Sequence, residues 1–175
     1  MTRKLLAEPL AGYDPAVGAA LWRLEDARRR TLELLDELPA ASVDAKAEGN
    51  TIGTVLYHMA LIEADWLYTE ILEQAPPPAI EELLPADHRD EAGILTLVSG
   101  ETLDQHRARL ATVRRHVIDA LRPMSADELD RPRSLPDYEV TPAWVLHHLA
   151  QHEAEHRGEI GSVMARLRAA GAAGN

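Results

Sequence analysis

The stretch TPAWVLHHLAQHEAEHRGEI, residues 141–160, opens on Thr141-Pro142, a capping residue followed by proline at the first helical position. Its apolar stripe reads Val145, Leu149, His152, His156, Ile160, and continues through Val163 and Leu167. That spacing predicts one long helix to about residue 169, with a frayed tail over 171–175. Two stripe positions that call for Leu or Ile hold His instead. Residues four apart lie one turn apart on one helix face, so both imidazoles are expected to point inward side by side. Burying two polar rings together needs a shared reason, and a metal ion supplies one, because i, i+4 His pairs chelate zinc-class cations.

The chain before this segment reads the same way. Asp14-Pro15 starts a helix whose stripe is Val17, Leu21, Leu24, Thr31, Leu35 and Leu38, ending at Pro39. Residues 39–50 are a loop by composition. Asn50 or Thr51 caps a second helix carrying Ile52, Val55, Met59, Ile62 and Trp66, which stops before Pro76-Pro77-Pro78. Residues 75–101 show no strong period beyond a possible turn at 79–84, a length that can carry the chain back along a bundle axis. Thr102 opens a third helix with the seam Leu103, His106, Leu110, Val113, Val117 and Leu121, and Ser125 to Glu128 has capping-box form. Four amphipathic segments without a convincing strand predict an all-α four-helix bundle, with a long crossover between the second and third helices. One domain is expected over residues 1–175, its core at about 10–170.

Composition narrows the function. The chain has no Phe, three Trp and four Tyr, and a net charge of −11. Nucleic acid is an unfavoured partner for such a charge, and the one basic run, Arg28-Arg29-Arg30, reads as a solvated helix face. With no Cys, there is no disulfide, thiolate ligand or cysteine nucleophile. No signal-like or membrane-spanning apolar run is evident, so a soluble, cytoplasmic protein is expected, with no membrane partner.

A catalytic metal site commonly takes three protein ligands and leaves a position open. His58 is the preferred third ligand, lying well inside the second helix among apolar neighbours. His106 is the reserve, expected rather as a buried or bundle-end histidine. His148 sits one turn before His152 and is expected to orient a ligand or bound the pocket. His88, His116 and His147 read as surface residues. HEAEH at 152–156 matches the metalloprotease pattern H-E-x-x-H, but no His follows His156 and no sheet edge is available for a peptide, so the protease reading is set aside. Glu153 is then expected as an exposed charge, with a base beside the metal as the alternative. Glu153-Ala-Glu-His156 is also an E-x-x-H step, but di-iron bundles need a second one, which the chain lacks.

TIGTVLYHMALIEADWL around His58, together with residues 141–160, resembles the DinB-like (YfiT-like) superfamily of small bacterial four-helix bundles. The family's H-E-x-x-H-R-G-Q-I ending is varied only at Glu159, with little consequence expected for the metal. The resemblance implies an up-down-down-up bundle and one divalent metal, zinc or nickel, held by His58, His152 and His156. Gly158 becomes a close-packing position in that frame, and a homodimer is plausible. The family's characterised activities imply a metal-dependent S-transferase joining a low-molecular-weight thiol to an electrophilic substrate, or a related hydrolase or isomerase. A metal with an open position would bind a thiol and lower its pKa. The rival expectation is a non-enzymatic bundle that binds a small ligand or partner, its metal structural or absent.

Overall fold

A computed structural model describes residues 6–39, 42–45 and 49–173, with residues 170–173 described by backbone alone. Among the described residues six α-helices form: α1 (Pro15–Leu35), α2 (Ile52–Asp65), α3 (Pro78–Leu83), α4 (Leu103–Ala120), α5 (Ala126–Asp130) and α6 (Pro142–Ala173). Each helix start follows from local chemistry. Asp14 accepts from the Ala16 amide ahead of Pro15, and Thr102 and Gln105 form a reciprocal capping box. Thr51, rather than Asn50, caps α2 by accepting from the Thr54 amide. α6 runs to Ala173, past the expected end, while residues 174 and 175 of the expected tail lie outside the described residues. So do residues 40–41 and 46–48 of the expected loop.

Long-range contacts between helices fix the helix directions. Tyr13 meets Ile118, Arg114 meets Leu24, and Arg107 meets Asp36, so α1 and α4 are antiparallel. Gly53 lies against His106 and Glu63 binds Arg114, so α2 and α4 are parallel. Asn50 reaches Glu159 and Trp66 packs on His148, so α2 and α6 are antiparallel. The order is up-down-down-up, as the family resemblance implies. The long crossover from α2 to α4 contains α3 in the expected place, and Ile80 and Leu84 anchor it to the core. No helix among the described residues is long and apolar enough to cross a membrane.

Two local departures shape the site. α2 does not end as an ordinary helix but continues as a π-helical segment, Trp66–Ile71. The wider turns rotate the stripe, so Leu67, Tyr68 and Ile71 are buried while Ile62 and Trp66 lie half-buried at its flank. A two-residue antiparallel ribbon, β1 (Arg133–Ser134) with β2 (Glu139–Val140), precedes α6; it is too short to leave an alternation in the sequence.

The middle of the bundle is ionic. Arg28 of α1, Glu63 of α2, Arg114 of α4 and Glu153 of α6 are all buried, one from each main helix. Arg28 Nε donates to Glu153 at 2.8 Å and its Nη2 to Glu63 at 2.7 Å. Arg114 grips Glu63 with Nε at 2.6 Å and Nη2 at 2.9 Å. Burial alone would raise the Glu63 carboxyl, but the two guanidiniums more than reverse this and hold it below its ordinary pKa. Two expectations are corrected here. Arg28 is not on a solvated face, and Glu153 is not an exposed charge. Val145, Leu149, Ile160 and Val163 are buried as the stripe predicts, but between Leu149 and Ile160 it is Glu153 that faces the bundle centre, with His152 and His156 half-buried at its flank toward α2.

Candidate metal centre

His58 is presented by α2, and His152 and His156 by successive turns of α6 that run antiparallel beside it. His156 meets the other two rings edge to face, with centroids 4.4 Å from His152 and 5.1 Å from His58, while His58 and His152 are tilted at 5.2 Å. Their Nε2 atoms converge: 3.3 Å from His152 to His58 and 3.1 Å from His156 to His152. At Zn–N bond lengths of roughly 2.0–2.1 Å, two tetrahedral ligand nitrogens lie about 3.3–3.4 Å apart. The observed separations approach that edge length, and three imidazole nitrogens are a donor set that could hold a metal ion. The residues present fit a divalent cation.

Electrostatics keep the donors ready. Desolvation, reinforced by the neighbouring His156, pushes His58 down to about 4 and His152 down to about 3. Both are neutral at neutral pH. Nδ1 of His156 lies 2.9 Å from Glu159 Oε2, and the other oxygen of that carboxylate accepts from Asn50 Nδ2 at 3.0 Å. The Nδ1–H tautomer of His156 would donate to this carboxylate and leave Nε2 presenting its lone pair. Nδ1 of His58 is buried without a protein partner among the described residues. His58 is buried, whereas His152 and His156 are half-buried, so the group opens on one side.

The remaining histidines divide as follows. His106 is fully buried but stands apart, its Nδ1 3.1 Å from Arg109 Nη1 and its ring against Gly53. A Cβ at Gly53 would lie 3.0 Å from His106 Nε2, so this glycine is the close-packing position in the neighbourhood. Gly158 is not: it is exposed, and a Cβ there would meet nothing within 4 Å. His88 and His147 are exposed as expected. His116 is half-buried instead, paired with the Tyr68 hydroxyl at 2.7 Å. His148 sits between the group and an aromatic wall, 6.0 Å from His152 by ring centroids and stacked at 5.0 Å on Trp144.

Sequence reasoning missed Glu159 and Asn50 as the support for His156. The i, i+3 spacing of His156 and Glu159 carried the signal. It also missed Tyr138 and Trp144, which line a cleft with Trp66. A family model described as the DinB superfamily matches residues 23–160, a span that holds all three histidines of the group. No curated protein matches the chain.

Proposed function

The chain belongs to the DinB superfamily, and on that premise we propose that it is a metal-dependent enzyme whose single divalent cation, zinc or nickel, is held by His58, His152 and His156. The reaction assigned to it is S-transfer from a low-molecular-weight thiol to an electrophile, with a related hydrolysis or isomerisation as the neighbouring chemistry. The observation that carries this reading is the convergence of three Nε2 atoms on one point that is open on one side.

A cation bound there supplies a Lewis-acid centre that lowers the pKa of a thiol or a water. The chain's own residues do the rest. His58 and His152 are held neutral by burial, so no proton must leave before they act as donors. Glu159, itself steadied by Asn50, fixes the tautomer and rotation of His156. Glu153 and its two arginines lock the α6 backbone between the two histidines it presents. Because the chain contains no Cys, the sulfur nucleophile must come from a cosubstrate. In the transfer, the thiol loses its proton to solvent, a sulfur–carbon bond forms, and the leaving group departs with the electron pair of the bond that breaks.

The test begins with protein purified without an affinity tag. We expect about one divalent metal per chain by elemental analysis, lost in His58→Ala and in His152→Ala. Glu159→Leu should keep the site but bind metal about 10–100-fold more weakly, as loss of an orienting carboxylate does. Turnover of a thiol with a panel of electrophiles should stop with chelator and return with zinc or nickel. No stoichiometric metal in the wild type, or equal metal in the His variants, refutes the centre. Stoichiometric metal with no chelator-sensitive turnover refutes the catalytic half.

A further inference from the structure

Beside the histidine group lies a cleft of about 640 Å³. Its wall is aromatic: Trp66 and Trp144 have ring centroids 5.4 Å apart, and Trp66 and Tyr138 are 6.5 Å apart. Trp144 and Tyr138 are 49% and 44% exposed, so two large rings, each packed on Trp66, face solvent. Such a concentration of apolar surface on one face marks a binding region. The wall also leads inward. Trp144 stacks on His148 at 11° between planes, Trp66 packs on His148 at 4.7 Å, and His148 borders His152.

The rim is held, not loose. The Tyr138 hydroxyl donates to Glu70 Oε1 at 2.7 Å, and Glu70 is only 4% exposed, with its second oxygen unpartnered among the described residues. The β1–β2 ribbon fixes the backbone around Tyr138, with the Leu135 amide donating to the Tyr138 carbonyl at 2.9 Å. Burial holds the Glu70 carboxyl above its ordinary pKa.

The charge at the cleft has one sign. Among the described residues, Glu139 is the one charged residue lining it, and no Lys or Arg lines it. The two cations flanking Pro132 are already paired: Arg133 is turned into the protein, with Nη2 on Glu128 and Nε on the Ile71 carbonyl, and the exposed Arg131 holds Glu128 with Nε at 3.0 Å. An anionic ligand would find a carboxylate and no counter-charge among the lining residues. A neutral or cationic one would find π faces, which attract cations as well as apolar groups.

We propose that this cleft is the acceptor site, holding the aromatic or conjugated body of a neutral or cationic electrophile so that its reactive end passes His148 toward the histidine group. The assignment of a reactive end rests on the proposed function; binding of the body does not.

Three naphthalene probes of equal bulk separate the possibilities: naphthylmethanol, naphthylmethylammonium and naphthoate. The indole N–H resonances of Trp22, Trp66 and Trp144 report the location. We expect the alcohol and the ammonium to shift Trp66 and Trp144 and leave Trp22 in place, with naphthoate at least tenfold weaker. Trp144→Ala, at an exposed position, should weaken the two binders tenfold or more while keeping the wild-type circular dichroism. The same binding should persist in chelator-stripped protein and in His58→Ala, so a failed metal site leaves this result standing. In the turnover assay, Trp144→Ala should raise KM for the electrophile and not for the thiol. Equal or tighter binding of naphthoate, shifts confined to Trp22, no loss in Trp144→Ala, or no binding by any probe overturns the proposal.

Discussion

Replacing Glu153 by Gln tests the buried ionic centre and the meaning of HEAEH in one variant. Arg28, Glu63, Arg114 and Glu153 are between 3% and 6% exposed, and their charges balance in pairs. The substitution keeps the shape of the side chain but leaves two guanidiniums facing one carboxylate. Its amide cannot accept from both Arg28 Nε and Arg114 Nη2, so one donor confronts another. Breaking a buried pair in this way costs about 3–5 kcal/mol. Glu25, which also accepts from Arg114 at 2.7 Å and is partly exposed, offsets part of the excess charge and places the expectation at about 3 kcal/mol. In a chain of this length that is a fall in Tm of about 6–12 °C. Urea denaturation should show a lower midpoint at unchanged slope. Arg28→Met with Glu153→Leu removes a whole pair and leaves the two-bond grip of Arg114 on Glu63, so the double variant should lose less than the sum of the singles. Metal content should be that of the wild type in Glu153→Gln, because the imidazoles are untouched. A Glu153→Gln protein within about 0.5 kcal/mol of wild type would refute the reasoning, since surface substitutions stay in that range.

Two further outcomes follow from single features. Gly158→Ala should stabilise the protein by up to about 1 kcal/mol, because a glycine inside a helix costs that much relative to alanine and the added methyl meets nothing; a lower urea midpoint would show that Gly158 is packed against a neighbour. In metal-free protein, His58 and His152 titrate at about 4 and about 3 when folded, against 6.5 as the ordinary value. The unfolded chain therefore takes up protons first as pH falls, so the stability these residues contribute is full above pH 6.5 and declines toward pH 4. Each can contribute a slope of up to about 1.4 kcal/mol per pH unit, reduced at His152 by solvent on its open side. Urea midpoints between pH 7 and pH 5, with chelator present, should fall in the wild type and flatten in the His58→Ala, His152→Ala double variant; a flat wild-type profile refutes the buried neutral state of the pair.

The histidine group was legible because its signal is local. The four-residue step from His152 to His156 forces one face, and an imidazole on an apolar stripe asks for a partner whatever the rest of the chain does. Other parts were not, for reasons that differ. The aromatic cleft is assembled by the π-helical turn that starts at Trp66 and by a ribbon of two-residue strands, neither of which leaves a period to read. The ionic centre did leave a trace. Arg28 falls between Leu24 and Thr31, Glu63 between Met59 and Leu67, Arg114 beside Val113 and Val117, and Glu153 between Leu149 and Ile160, each on the stripe of its helix. Any one of these charges alone reads as the edge of a stripe, since a shift of one residue turns a side chain by about 100°. That single-residue shift is the whole difference between His152 and Glu153 as the inward position. Taken together they are two acids and two bases, one per helix, separated along the chain by 35 to 125 residues. A buried charge is tolerable only when paired, so four buried charges, one from each main helix and summing to zero, imply a common meeting point. Compensation across helices, invisible in any one helix, is what identifies the centre and sets the rotation of α6 that turns His152 and His156 toward His58.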